Sequence, residues 1–469
     1  MTETIKRKLS DSPAARWTAL VLVASMMFFG YMFVDVMSPI QALMESQKGW
    51  GPDTFGTYAA SEYIVNVLGF LIIAGVILDK MGIRFTGVLS ASMMFIGACI
   101  KLVGITEWFQ TTAFAEWLGS WWVAMPASAK MAFLGFMLFG CGCEMAGTTV
   151  SKAIAKWFKG KEMALAMGLE MAIARIGVFA IFSISPIIAE KFGTVTAPVA
   201  FCTVLLLIGL ITYTVFTFMD KKLDQQTDEI AEDSSEEEFK FSDLGKILTS
   251  EAFWIVALLC VLYYSAIFPF QRYGANMLQC NLDGISPEEA SNIFRWFPVG
   301  AALITPFLGN LLDRKGKGAT MLIGGALLLI CCHLIFAFVL PGTHSELIAY
   351  GTIVLLGISF ALVPAALWPS VPKIVDEKIL GSAYCLIFWV QNIGLCLVPM
   401  LIGYVLSSSN ADNPAVIAAK EMGADFIPYD YTMPLVVFAG FGILALLIAI
   451  YLKVVDKKRG YGLELPNIK

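Results

Sequence analysis

Gly75-Val-Ile-Leu-Asp79-Lys-Met-Gly82-Ile-Arg84 and Gly309-Asn-Leu-Leu-Asp313-Arg-Lys-Gly316-Lys317 are two copies of one phrase, one in each half of the chain. Each closes an apolar run of membrane-spanning length. The first glycine, Gly75 or Gly309, lets a helix approach a neighbour closely, and the aspartate, Asp79 or Asp313, faces the start of a neighbouring helix. The second glycine, Gly82 or Gly316, permits a tight turn, while Arg84 and Lys317 hold the membrane surface. The copies differ at the last place, where Gly318 stands opposite Arg84. Repetition at matching places predicts two equivalent halves.

The totals place those halves in a bilayer. Of 469 residues 58% are hydrophobic and only 15% charged, with a mean hydropathy of +0.74; a soluble chain of this length carries many more charges. Ten cysteines are scattered through apolar runs without ligand spacing, and the two histidines, His333 and His344, give a metal site or a catalytic triad little to build on. No phosphate-cradling G-x-x-x-x-G-K-[ST] occurs, and no cofactor is expected. The net charge of −5 comes largely from one acidic stretch and implies no nucleic-acid partner.

Runs of about 20 apolar residues fall near 17–39, 55–78, 85–105, 131–156, 163–188, 197–219, 252–275, 289–312, 319–340, 347–369, 379–406 and 432–455. The chain is therefore expected to be an all-α membrane protein of twelve transmembrane helices. The first run is too long for a cleaved signal and has no small-residue cleavage site. Most Lys and Arg fall at the termini and after even-numbered helices, which predicts both termini in the cytoplasm. Lys48, Lys101, Lys130, Lys191 and Lys420 are assigned outside or to the outer helix ends. Residues 220–250, with Asp228, Glu229, Glu232, Asp233 and Glu236 to Glu238, read as an acidic cytoplasmic linker between bundles at 1–219 and 251–469. Trp108, Trp117, Trp121 and Trp122 suit an interfacial segment outside.

Two ionisable residues stand where hydrocarbon does not tolerate them alone. Glu144, in Gly140-Cys-Gly-Cys-Glu-Met-Ala-Gly147, and Arg175, in Ala174-Arg-Ile-Gly177, lie about 13 and 14 residues either side of the turn Trp157-Phe-Lys-Gly-Lys-Glu162. At 1.5 Å per residue both are roughly 20 Å from it, at one depth. They read as the centre of a substrate site, or else as an ion pair joining helices 4 and 5. A second tier, roughly 25–30 Å from the inner face, holds Asp35 and Glu62 in the first half and Arg272 and Arg295 in the second. Asp35–Arg272 and Glu62–Arg295, or the crossed pairing, are expected to close an outer gate; the alternative is that these charges meet water at helix ends. Glu62 and Glu170 are the candidates for binding a coupling proton.

The repeated phrase resembles the signature loop of the major facilitator superfamily. Arg175-Ile-Gly177 in helix 5 and Asn392-Ile-Gly394 in helix 11 echo each other in the same way. The resemblance implies two pseudo-symmetric six-helix bundles with a midplane site between them, alternately open to either side. Gly142-Cys-Glu144, Tyr263-Tyr264, Phe268-Pro-Phe270, Ala366-Leu-Trp-Pro369, Gly381-Ser-Ala-Tyr384 and Gln391-Asn-Ile-Gly394 resemble, in order and spacing, the branch that includes the animal lysosomal dipeptide transporters. That likeness implies a dipeptide carrier with Glu144 and Arg175 as its charged binding residues. Residue chemistry is compatible, since a zwitterionic dipeptide offers an ammonium and a carboxylate to these two ends. Tyr263, Tyr264, Trp368, Trp389, Gln391 and Asn392 are candidates for walls and hydrogen bonds around the peptide unit, each with core packing as its alternative. Arg272, Arg295, Glu62 and Glu170 depart from that branch. The amino terminus lacks an acidic dileucine signal, so a plasma membrane, a prokaryotic inner membrane, is the expected location.

The expected function is transport of dipeptides or similar small zwitterions by a monomer in the lipid bilayer, with protons as a candidate coupling ion. A proton-coupled carrier or exchanger of small organic anions and a non-transporting sensor or scaffold are the alternatives. An enzyme is not expected, because no nucleophile, metal set or phosphate cradle is visible.

Overall fold

The computed structural model describes residues 8–121, 123–159, 161–227, 248–375 and 380–466. Trp122 and the acidic cluster from Asp228 to Glu238 lie outside the described residues. Ten helices among them are long and apolar enough to cross a membrane. One of these, Pro52–Ile105, reverses at Gly82, whose φ of 73° only glycine adopts without strain, so it crosses twice. Pro287–Phe294 and Trp296–Lys315 form one further crossing broken at Arg295.

Of the twelve spans the first half contributes α1 (Pro13–Asp35), α2 (residues 52–81), α3 (residues 83–105), α4 (Ala127–Trp157), α5 (Met163–Phe192) and α6 (Thr196–Thr227). The second half contributes α7 (Glu251–Asn281), α8 (residues 287–315), α9 (Gly318–Thr343), α10 (Glu346–Ile374), α11 (Leu380–Ser409) and α12 (Thr432–Arg459). Their starts are chemically marked. Ser12, Ser250 and Ser345 each accept a backbone N–H of the first turn of α1, α7 and α10, and Ser286 with Glu289 makes a reciprocal cap on α8.

Packing repeats as the sequence does. In the first half α1 packs on α5 and α6, α3 on α4 and α6, and α2 on α4; in the second, α7 packs on α11 and α12, α9 on α10 and α12, and α8 on α10. The set is the same after adding six to each number. Between halves the main contacts are α2 with α11 and α5 with α8. Apolar side chains such as Leu68 and Leu347, each 81% exposed, lie on the outside of the packed helices. Trp108, Trp117 and Trp121 are exposed on the short segments linking α3 to α4, as an interfacial belt requires.

The structure corrects three expectations. Residues 220–227 continue α6 as helix instead of opening the linker, because Asp220 and Asp224 are held by Lys156 and Arg84. Lys101 and Lys130 are fully buried: Lys130 Nζ donates to the carbonyls of Leu118, Gly119 and Trp121, capping the helix Ala113–Ser120. A Cβ at Gly75 or Gly309 would meet nothing within 4 Å, so in this conformation neither glycine serves close helix packing. Asp79 pairs with Lys152 of α4 at 2.9 Å, and Asp313 lies within electrostatic reach of Lys373 on α10.

Candidate functional site

Two tiers of polar groups lie between the halves. In the upper tier, on the face away from the termini, Arg272 of α7 reaches across to the first half. Its Nη1 donates to Asp35 Oδ1 of α1 at 3.1 Å and also to the Val34 carbonyl, and its Nη2 meets Glu62 Oε2 of α2 at 2.5 Å. Gln271 Nε2 donates to the other Asp35 oxygen at 2.6 Å, and Ser38 Oγ to Oδ1 at 3.2 Å. Asp35, Glu62 and Arg272 are 1%, 4% and 7% exposed. One guanidinium therefore serves two carboxylates, and the expected Glu62–Arg295 pairing is replaced by Glu62–Arg272. Arg295 instead donates to Ser183 Oγ of α5 at 3.1 Å and lies over the rings of Phe179 and Trp296. The break between the two helical pieces of α8 falls at this residue.

Backbone contact closes the same face. A Cβ at Gly56 of α2 would lie 2.4 Å from the Pro399 carbonyl of α11, and one at Gly403 would lie 2.4 Å from the Pro52 carbonyl. Tyr429 donates to Glu45 at 2.5 Å and Ser291 to the Phe182 carbonyl, each joining the two halves.

The lower tier is at mid-depth. Glu144 of α4 and Arg175 of α5 are half-buried, and among the described residues they form no ion pair with each other or with a third residue. Arg175 Nη1 is buried without any hydrogen-bond partner. Its guanidinium lies over the faces of two rings from the other half, 4.7 Å from Phe360 and 5.7 Å from Phe268. Tyr31 of α1 is within electrostatic reach of Glu144, Glu170 and Arg175. Behind the two phenyl rings, Tyr264 stacks on Phe268 at 5.4 Å and accepts a hydrogen bond from Trp368 Nε1 at 3.2 Å; Tyr384 donates to the Trp368 carbonyl at 3.3 Å.

The remaining candidates separate. Tyr263 points away from this space and donates to the Leu322 carbonyl of α9 within the second half, so it is a packing residue. Successive helical residues are about 100° apart, and only one of Tyr263 and Tyr264 faces the interface. Trp389 donates to the Val67 carbonyl at 2.8 Å, across the halves, where the π-turn Asn66–Phe70 interrupts the regular helix. Gln391 Oε1 accepts from Cys260 Sγ at 3.4 Å, and Asn392 is buried with its Oδ1 unpartnered. Glu170 is half-buried. Sequence reasoning misses Tyr31, Phe360 and Gln271, of which only Gln271, as neighbour of Arg272, carries a readable signal; Lys101, assigned to an outer helix end, is buried beside the upper tier instead.

Residues 20–399, and again 273–465, match the Major Facilitator Superfamily. The chain belongs to the major facilitator superfamily. Curated relatives include the lysosomal dipeptide transporter MFSD1 of Homo sapiens, 29% identical over 283 residues, which are 58% of this chain and 59% of the human protein. The Danio rerio MFSD1 is 27% identical over 402 residues, 83% of this chain and 80% of its own. The match to the human protein thus spans less than two thirds of its length. Among solved superfamily structures, a bacterial homolog of the human lysosomal transporter Spinster, inward-facing and unoccupied, has a TM-score of 0.70 at 13% identity over 95% of this chain and 98% of that one. A D-xylose–proton symporter has a TM-score of 0.66 at 13% identity over 94% and 97%. At such identity these two show the superfamily fold alone.

Proposed function

We propose that the protein carries dipeptides or similarly small zwitterions by alternating access. Arg175 takes the substrate carboxylate and Glu144 its ammonium, and the termini are cytoplasmic. The observation that carries this reading is Arg175 itself, a mid-depth guanidinium with an unsatisfied nitrogen, backed by Phe268 and Phe360 of the opposite half. Such a group is costly in a bilayer unless something fills its donors. A carboxylate does so through the forked guanidinium geometry. The dipeptide-transporting relatives support the same substrate class.

In this reading Asp35, Glu62 and Arg272 are the gate on the outer side. Site and gate share one electrostatic field, since Arg175 is within reach of Asp35 and Glu144 within reach of Glu62. A zwitterion that neutralises Arg175 and Glu144 together therefore changes the potential at both gate acids. Glu62 and Glu170 remain the two carboxylates considered for proton coupling, Glu62 being engaged by Arg272 in this conformation.

Ligand linkage tests the site. The purified protein is heated with dipeptides, N-acetylated dipeptides, single amino acids and dicarboxylates, and hits are repeated on Glu144→Gln and Arg175→Ala. Stabilisation by dipeptides that is absent for acetylated ones and lost in both variants is the expected result. Stabilisation by dicarboxylates alone, kept in Glu144→Gln, would overturn the dipeptide reading in favour of an organic-anion carrier.

A further inference from the structure

Lys101 of α3 is 0% exposed, and its Nζ has no hydrogen-bond acceptor. It sits instead among three ring faces, 4.2 Å from the centre of Phe33, 4.8 Å from Phe136 and 5.0 Å from Tyr58. Gly135 brings α4 close enough for this box, since a Cβ there would lie 2.5 Å from the Lys101 backbone nitrogen. The box adjoins the gate. Phe33 precedes Asp35 on α1, Tyr58 lies one helical turn before Glu62 on α2, and the ring of Phe136 has the Arg272 guanidinium at 5.8 Å. Lys101 is within electrostatic reach of Asp35, Glu62 and Arg272. The Tyr58 hydroxyl is likewise buried and unpartnered.

Formal charge gives this arrangement a meaning. Two acids and one guanidinium leave the gate one positive charge short, and Lys101 is an ionisable amine within reach of it. Asp35, Glu62 and Lys101 all belong to the first half, whereas Arg272 belongs to the second. When the halves separate on this face, Arg272 departs and leaves two carboxylates behind.

We propose that Lys101 is the standby cation of the gate: as Arg272 withdraws, the ammonium leaves its aromatic box and pairs with the vacated Glu62 and Asp35. Aromatic faces hold an ammonium more weakly than a carboxylate does, so the ammonium moves to the acids once they are free. The Tyr58 hydroxyl then has a carboxylate to donate to. Lys101 thereby lowers the cost of the open state without touching substrate.

The proposal rests on alternating access but not on the dipeptide. Its test uses no substrate, so failure of either reading is distinguishable from failure of the other. Spin labels carried by unnatural amino acids at Glu116 and Glu346, exposed residues of the two halves on the gated face, report the open-to-closed ratio by pulsed electron resonance. Lys101→Met should lower that ratio by about tenfold or more, the scale of one hydrogen bond to a charged group. Lys101→Arg, which keeps the charge, should stay within about twofold of the parent. In an Asp35→Asn/Glu62→Gln background, Lys101→Met should have no effect, as non-additivity of coupled charges demands. An unchanged ratio in Lys101→Met, or an equal loss in Lys101→Arg or in the neutral background, overturns the proposal. Where Lys101→Met does not accumulate, Lys101→Gln takes its place, and a parental ratio there overturns it equally.

Discussion

Arg272→Met is the most incisive perturbation of the gate. The substitution keeps much of the apolar stem and removes the bonds to Asp35 at 3.1 Å and Glu62 at 2.5 Å. In the closed state both acids then stay buried without their cation, whereas in the open state water reaches them. Removing one partner of a buried ion pair costs about 3–5 kcal/mol. Gln271 and Ser38 still donate to Asp35, which places the effect near the lower end, about 3 kcal/mol. At about 1.4 kcal/mol per decade the closed-to-open ratio should fall roughly a hundredfold. The assay is the distance between labels at Glu116 and Glu346, with Arg272→Lys as the charge-keeping control. A distance distribution identical to the parent's in Arg272→Met would refute the gate, because the gate requires that loss of these two ion pairs favour the open state.

Gly403→Ala places a Cβ 2.4 Å from the Pro52 carbonyl, and overpacking of about 1–3 kcal/mol should favour the open state roughly tenfold in the same label distance. Lys130→Met strips the carbonyls of Leu118, Gly119 and Trp121 of their shared donor; a loss of at least about 1–3 kcal/mol should appear as a lower unfolding temperature. Phe360→Leu removes the ring face nearest Arg175, and dipeptide affinity, read as the thermal shift relative to the empty variant, should fall several-fold. Asp11 lies before α1, where the hydrogen bond and charge of Lys161 hold its carboxyl below the usual 3.8. Its contribution to stability is complete above that ordinary value and is lost as pH falls through the lowered one, so the difference between parent and Asp11→Asn should vanish in acid.

The architecture was legible because it rests on signals that survive in one dimension. Hydrophobic length, the doubled phrase around Asp79 and Asp313, and the reversal at Gly82 each need only local sequence. Depth was legible too, since a fixed rise per residue placed Asp35, Glu62 and Arg272 in one tier. Direction was not. Sequence assigned Lys101 and Lys130 to outer ends, but a long side chain turned inward at the same depth meets rings or carbonyls instead of water. Counting charges likewise paired four groups two by two, whereas Arg295 turns to Ser183 and Arg272 serves both acids. Tyr263 and Tyr264 illustrate the same limit, as neighbours in sequence on different faces of α7.

The two acids that Arg272 joins belong to different helices of the first half, Asp35 to α1 and Glu62 to α2. The guanidinium is thus a brace on its host as well as a bolt between halves: while it is engaged, the spacing of α1 and α2 is fixed from outside. Once it leaves, the first half gives up an internal strut that the second half, with α7 carrying the guanidinium, does not lose. In the proposed opening the halves, alike in outline, therefore differ in what they lose.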